Sequence, residues 1–123
     1  MKLRTKSNSI RLRLTQSEVS LMREKKFVRE AIHFPANETL IYELKVVNND
    51  QCITASFNNS SLSIGIPEGI IDRWSGSNEV SILASVKLDN EEELSILVEK
   101  DFQCLSPRDE DEADMFPNPE NIK

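Results

Sequence analysis

Residues 9–19, SIRLRLTQSEV, combine the two kinds of element from which the fold is built. The first half alternates apolar and polar residues, which is the period of a β-strand that places Arg11 and Arg13 on one face. The second half has the form of a helix start, since Thr15 is a candidate N-cap and Glu18 follows three residues later, as in a capping box. The stretch therefore predicts a half-buried strand that leads directly into a helix.

The same two-residue period recurs on both sides of this stretch. Strands are predicted at residues 2–6, 9–14, 27–34, 40–46, 53–57, 62–66, 80–88 and 94–100. One helix should run to about Lys25 and bury Val19 and Met22 with help from Leu21, and a second should begin at Pro67. The connections are short and rich in turn residues, and the sequence shows no internal repeat. The predicted fold is an α+β domain with a mainly antiparallel, curled or barrel-like sheet of about eight short strands and two short helices.

Size and composition favour a single soluble domain. The chain has 123 residues, of which 38 % are hydrophobic and 29 % charged. Cys52 and Cys104 are too few for a disulfide framework, no apolar segment follows the charged start, and no stretch approaches the roughly 20 apolar residues of a membrane span. The expected location is the cytoplasm, with no membrane partner.

Charge is distributed unevenly along the chain, although the net charge is −6. Most cations lie in the first 30 residues, and the first two predicted strands form a hairpin on which the basic positions alternate. If the register aligns them, one surface carries five cations. The predicted anion- or partner-binding residues are Lys2, Arg4, Lys6, Arg11 and Arg13.

The C-terminal end is acidic and punctuated by proline. We expect residues 1–105 to form the domain and residues 106–123 to form an acidic tail packed on the domain or on a neighbouring subunit. Apolar residues such as Phe116 would anchor the tail, while its prolines lower the entropy cost of holding it extended. The predicted tail-interaction residues are Asp101, Phe102, Cys104, Arg108, Phe116 and Pro117.

Other chemistry-bearing residues form no recognisable motif. His33 is the only histidine, and neither it nor the cysteines have metal-ligand spacing, so no metal site and no cofactor is predicted. Arg108 could make Cys104 reactive by lowering its pKa, but a small semi-buried thiol is the commoner outcome. Low aromatic content and overall acidity argue against a nucleic-acid partner.

Both ends of the chain resemble a known family. The stretches NSIRLRLTQSEV at residues 8–19 and LVEKDFQCL at residues 97–105, the latter followed by DMFPNP at residues 114–119, are similar to the two ends of a family of small uncharacterised bacterial proteins, a domain of unknown function. The resemblance implies a bacterial cytosolic protein whose tail belongs to the domain. It carries no assigned activity, so no catalytic residue is transferred.

Two functions are consistent with these patterns. The leading hypothesis is a non-enzymatic binding or assembly module, whose partner is an unknown protein or a second copy of the chain. The alternative is a phosphate- or polyphosphate-binding protein, or a metal-dependent phosphate-processing enzyme, that uses the basic hairpin. The two differ in whether the cations face outward or line an enclosed cavity, which the period of two does not decide.

Overall fold

A computed structural model describes residues 1–48, 52–102, 114, 116 and 117. The described residues contain eight strands and two α-helices, with a short 3₁₀ turn at Pro35–Asn37. In chain order they are β1 Lys2–Lys6, β2 Ser9–Leu14, α1 Gln16–Glu24, β3 Phe27–His33, β4 Thr39–Val47, β5 Thr54–Asn58, β6 Ser61–Pro67, α2 Glu68–Ser75, β7 Ser81–Lys87 and β8 Glu93–Lys100.

The strands form two separate four-stranded sheets. Sheet A has the order β1-β2-β8-β7 and sheet B the order β3-β4-β6-β5. Each sheet consists of two antiparallel hairpins joined at the centre by a parallel pair, β2 with β8 in sheet A and β4 with β6 in sheet B. The α+β class and the antiparallel hairpins are confirmed.

The prediction of one curled, barrel-like sheet is wrong, because the two sheets do not close into a barrel. The helices explain the difference. The chain leaves sheet A after β2, passes through α1 and enters sheet B at β3; it returns through α2, from β6 to β7. In addition, β4 pairs with β6 rather than with β5, so the short connection after β4 is not a hairpin.

A structural repeat relates the two halves of the chain. Each half has the order strand, strand, helix, strand, strand. Equivalent elements begin 52 positions apart for the first hairpin and helix, as with Ser9 and Ser61, and 54 apart for the second hairpin, as with Phe27 and Ser81. Because each half gives one hairpin to each sheet, the halves are intertwined. The sequence showed no repeat because equivalent positions share apolar character rather than identity.

The core lies under both helices and joins the two halves. In α1, Val19 and Met22 are buried, as predicted, whereas Leu21 is 39 % exposed, contrary to prediction. In α2 the equivalent residues Ile71 and Trp74 are buried. The inner faces of the strands supply the remaining buried hydrophobic residues, namely Ile10, Leu12, Leu14, Val28, Leu44, Ile64, Ile66, Ile82, Ile96 and Val98.

The two helices begin differently. The Thr15 hydroxyl accepts a hydrogen bond from the Glu18 N–H, and the Glu18 carboxylate accepts one from the Thr15 N–H at 3.0 Å, so the predicted capping box is confirmed. Pro67 precedes α2 and provides no side-chain cap. Therefore α1 is fixed by its own sequence, while α2 depends more on the burial of Ile71 and Trp74.

Candidate binding surface

The strand register brings the predicted cations together. Lys2 lies opposite Arg13, and Arg4 lies opposite Arg11. Residues that lie opposite each other in an antiparallel pair project from the same face, so all five cations share one surface of sheet A. We call this surface, formed by Lys2, Arg4, Lys6, Arg11 and Arg13, the basic face.

The basic face points outward. Leu12 and Leu14, which alternate with the arginines of β2, are buried on the inner side of the sheet. Lys2, Arg4 and Lys6 are exposed, and Arg11 and Arg13 are half-buried. Since sheet A is open, these cations line its solvent side rather than an enclosed interior.

Three of the five cations have acidic partners. Arg11 and Arg13 each donate from Nε to the same Glu99 carboxylate oxygen, both at 2.7 Å. Burial by itself would raise the pKa of Glu99, yet these hydrogen bonds and the arginine charges outweigh it and hold the pKa below its usual value. Lys2 Nζ lies 3.1 Å from Oδ2 of the buried Asp101.

Arg4 and Lys6 make no ion pair with any residue in the described part of the chain. They border a groove of about 360 Å³ on the outer face of sheet A. Leu97 and Leu83 also line the groove, together with Ser95, and 77 % of Leu83 is exposed. The groove thus combines two cations that form no ion pair with any described residue and an exposed aliphatic side chain.

One row of side chains across each sheet shows how the two outer faces differ. In sheet A the neighbours are Arg4, Arg11, Leu97 and Leu83, which we call the sheet A row. At the equivalent positions sheet B has Ser56, Ser63, Glu43 and Arg29, the sheet B row. The two rows occupy the same place in the structural repeat.

The sheet B row satisfies its own charges. Arg29 Nη2 lies 3.1 Å from a Glu43 oxygen, and the Ser63 hydroxyl donates to the other Glu43 oxygen at 3.0 Å. The Arg29 guanidinium also lies 5.5 Å from the centre of the Phe27 ring. In sheet A these charges are replaced by Leu83 and Leu97, and among the described residues Arg4 is the cation of the two rows that has no ion pair.

Described residues of the tail contact the end of sheet A. The Phe116 N–H donates to the Asp101 carbonyl at 2.8 Å, and the Phe102 and Phe116 rings meet edge to face with centroids 5.6 Å apart. Pro117 is exposed. Two of the predicted tail-interaction residues, Cys104 and Arg108, lie outside the described residues.

Asp114 provides a second contact, at the start of α1. Its backbone carbonyl accepts a hydrogen bond from the Gln16 N–H at 2.9 Å, and its carboxylate accepts one from the Ser17 N–H at 3.1 Å. A hydrogen bond from the Ser17 hydroxyl is the largest contribution to a pKa of Asp114 below its usual value. A carboxylate at this end of a helix also interacts favourably with the helix dipole.

Lys100 joins the end of β8 to α2 and to the tail. Its Nζ donates to the Ser77 carbonyl at 2.8 Å and lies 5.6 Å from the Trp74 ring and 5.4 Å from the Phe116 ring. Only 6 % of the residue is exposed, and burial lowers the pKa of Lys100 below its usual value. Trp74 is wholly buried, so it belongs to the core rather than to an exposed interface.

The remaining chemistry-bearing residues that the structure describes do not converge. His33 is exposed, and its Nδ1 lies 3.3 Å from the Thr39 hydroxyl. Cys52 is exposed and lies two residues before β5. Within the described ranges, no three residues among His, Cys, Asp and Glu are grouped so as to hold a metal ion.

Three residues of the surface were not singled out by sequence reasoning, namely Leu83, Leu97 and Glu99. A signal for the two leucines was available. Leu83 lies between Ile82 and Ala84, and Leu97 lies between inward-facing residues of β8, so each breaks the alternation as an apolar residue on the solvent side. The role of Glu99 depends on the parallel β2–β8 pairing, which no local pattern predicts.

Together, fold and surface define a two-sheet α+β protein with one basic, partly apolar outer face. The chain belongs to the DUF7009 family, a family of unknown function, whose sequence model matches residues 1–120. The resemblance to a domain of unknown function is therefore confirmed. No curated protein and no solved structure matches the chain. No helix in the described residues has the length and apolar character needed to cross a membrane.

Proposed function

We propose that the protein is a non-enzymatic binding module that docks an acidic protein segment on the outer face of sheet A. The observation that carries this proposal is the pairing of two properties in one groove. Arg4 and Lys6 offer positive charge that no described residue neutralises, and Leu83 offers an aliphatic side chain that is 77 % exposed. A segment with both carboxylates and apolar residues would satisfy both.

Spacing favours an extended segment. Lys2, Arg4 and Lys6 occupy alternate positions of β1, so their Cα atoms follow one another at intervals of about 7 Å. Carboxylates on alternate residues of an extended partner would repeat at the same interval. In contrast, a single phosphate is best held by donors that converge on one point.

A small anion remains the second candidate, for one specific reason. Arg4 and Arg11 lie directly opposite each other in the β1–β2 hairpin, so two guanidinium groups are close neighbours. Such a pair suits a phosphate or a polyphosphate. This candidate requires a discrete site at the two arginines and makes no use of Leu83.

Two further parts of the proposal concern location and the tail. A cytoplasmic location is consistent with the presence of only two cysteines. The tail belongs to the same domain, which is supported by the contacts of Asp114 with α1 and of Phe116 with Asp101, directly after β8.

The proposal can be tested by fluorescence anisotropy with a labelled peptide in which glutamate and leucine alternate. The test variant Arg4→Ser/Lys6→Asn gives sheet A the residues that sheet B has at the equivalent positions, Ser56 and Asn58. The control Lys25→Ser/Lys45→Ser removes the same charge from exposed sites outside the basic face. We expect the test variant to weaken binding by about tenfold or more and the control to change it little.

Three results would oppose this function. One is the absence of peptide binding at low salt. Another is equal loss of binding in the test and control variants, which would indicate general charge attraction. The third is tight binding of inorganic triphosphate that depends on Arg4 and Arg11, together with weak peptide binding, which would favour the small-anion candidate. A peptide in which serine replaces leucine should bind more weakly if Leu83 contributes.

A further inference from the structure

The four edge strands of the two sheets differ in how well they are protected. An edge strand presents unpaired backbone N–H and C=O groups, and proteins protect such edges with charges, prolines or short length. The sheet A edge at β1 carries three cations, β3 carries Arg29, which pairs with Glu43 of the neighbouring β4, and β5 has only five residues. The other sheet A edge, β7, has seven residues, no proline and a single charge at its end, Lys87. Among the described strands it is the least protected edge.

Backbone hydrogen bonds identify which groups of β7 are open. In the neighbouring strand β8, the Ser95 N–H donates to the Asn8 carbonyl, and just after β8 the Asp101 N–H donates to the Leu14 carbonyl. The odd-numbered residues of β8 therefore bond towards β2. The Lys100 N–H donates to the Val80 carbonyl, so the even-numbered residues of β8 bond towards β7. In the register that follows, Ile82 pairs with Val98. The open groups of β7 therefore belong to its odd-numbered residues, Ser81, Leu83, Ser85 and Lys87.

These residues also project their side chains onto the outer face, where all four are exposed. In sheet B, the position equivalent to Leu83 is held by Arg29, which is paired with Glu43. Arginine at that position keeps the β3 edge charged. Leucine at the same position in β7 leaves both the backbone and the side chain available to a further strand.

The β7 sequence is complementary to itself in one antiparallel register. When Leu83 lies opposite Leu83 of a second copy, Ser81 faces Ser85 at both ends of the pairing. The next positions place Lys87 opposite Glu79, which precedes β7 and also lies 3.1 Å from Nε of Arg73 in its own chain, so opposite charges meet twice. The equivalent pairing of two β1 strands would instead set Lys and Arg against Lys and Arg. A two-fold interface of this kind uses the same patch on both partners.

We infer that two copies of the chain associate through their β7 edges, which converts two A sheets into one continuous eight-stranded sheet. The inference goes beyond the proposed binding of an acidic segment, because it concerns a different element and a different partner. In the dimer, Leu83 and Leu97 of both copies form one apolar strip, and the two basic faces flank it. A single strand pair buries little area, so the dimer is expected to be weak and concentration-dependent.

Sedimentation equilibrium over a wide range of protein concentrations tests the inference. The expected result is a mass that rises from that of the 14.0 kDa chain towards twice that value. The variant Leu83→Lys should weaken association by about tenfold or more, because it places like charges opposite each other. Its control is Ala31→Lys on β3, the other seven-residue edge, which should leave association unchanged. Circular dichroism establishes that both variants are folded.

A charge exchange tests the register. Lys87→Glu should weaken the dimer because Glu then faces Glu79, and the double variant Glu79→Lys/Lys87→Glu should restore it. A monomer at every concentration would overturn the inference. So would a dimer that is equally strong with Leu83→Lys, since its interface would then lie elsewhere. Failure of the double variant to recover would overturn the proposed register. None of these results depends on whether an acidic peptide binds the basic face.

Discussion

The sheet A row and the sheet B row occupy the same place in two equivalent sheets, yet they have different chemistry. In sheet B, Arg29, Glu43 and Ser63 bond to one another. In sheet A, Leu83 and Leu97 replace the charged pair, and Arg11 turns to Glu99 instead. Arg4 is left without an ion pair among the described residues. The repeated backbone therefore specifies a scaffold, while the charge left available on each outer face depends on whether its row satisfies its own charges.

The inner faces of the two sheets are alike, because equivalent positions in both halves must carry apolar residues for the shared core. Leu12 and Leu14 of sheet A correspond to Ile64 and Ile66 of sheet B, and all four are buried. Each half gives a hairpin to each sheet, so neither half encloses a core by itself. The halves can therefore diverge on their outer faces but not on their inner faces.

The largest expected effect would come from breaking this shared core at Trp74. The side chain is fully buried, and its Nε1 donates to the Val80 carbonyl at 3.1 Å. Trp74→Ala should lower the free energy of unfolding by about 3–5 kcal/mol, and Met22→Ala, at the equivalent position, by about 2–5 kcal/mol. Urea titration followed by circular dichroism measures both. A biphasic transition in either variant would contradict a single core shared by the halves.

A smaller effect is expected at Gly65, which is equivalent to Arg13. A Cβ atom at Gly65 would lie 2.6 Å from the Thr54 hydroxyl oxygen and 2.7 Å from Cγ1 of Val47. Gly65→Ala should therefore cost about 1–3 kcal/mol of stability through overpacking. Arg13→Ala, the matched change in sheet A, should cost less. Parallel urea titrations measure the stability lost in each variant. If Gly65→Ala left the free energy of unfolding unchanged, the outer faces could exchange residues at this position.

The Glu99 network should appear in the acid stability of the protein. Since the pKa of Glu99 is lower in the folded state than in the unfolded state, its contribution is fully present above the unfolded pKa and is lost as pH falls through the folded pKa. Stability measured from neutral pH down through this acidic range should fall more steeply in the wild type than in Glu99→Gln. Glu91→Gln, in an exposed turn, should follow the wild type. If the stability of the wild type and of Glu99→Gln fell equally with pH, the Glu99 network would not contribute to acid stability.

The smallest effect concerns the end of α1, where the two helices also differ. Lys26 follows the C-cap of α1, Lys25, and has a φ of 72°, a left-handed conformation that favours glycine, whereas Ser77, which follows the C-cap of α2, Gly76, does not have a positive φ. Lys26→Gly should raise stability by up to about 1 kcal/mol. For a domain of this size that corresponds to a rise of several degrees in Tm. Lys26 Nζ also lies 4.0 Å from a Glu68 carboxylate oxygen, and a lower Tm would indicate that this ion pair outweighs the backbone gain.

Local patterns predicted the elements but not their arrangement. The capping box at Thr15 and the alternation around Leu12 fixed α1 and β2, because both depend only on near neighbours. The alignment of the cations also followed from the short β1–β2 turn. In contrast, the parallel β2–β8 and β4–β6 pairings join residues far apart in sequence, and no local signal encodes them. Consequently the two sheets, the repeat and the Glu99 network could not be predicted.

The candidate site was predicted in part for the same reason. The five cations were identified from their alternation, but their outward direction depends on which face of the sheet meets the helices. Leu83 and Leu97 have a local signal, as apolar residues on a polar face. That they replace a charged pair becomes visible only when they are compared with Arg29 and Glu43, at the equivalent positions of the other sheet.

The most direct test of the central claim is a two-dimensional ¹H–¹⁵N NMR titration with the alternating glutamate–leucine peptide. We propose that sheet A binds an acidic segment and that sheet B, on the same backbone, does not. We expect salt-sensitive shifts along β1 and the sheet A row, with none along the sheet B row. Equal shifts in both rows, or shifts only in the sheet B row, would contradict it.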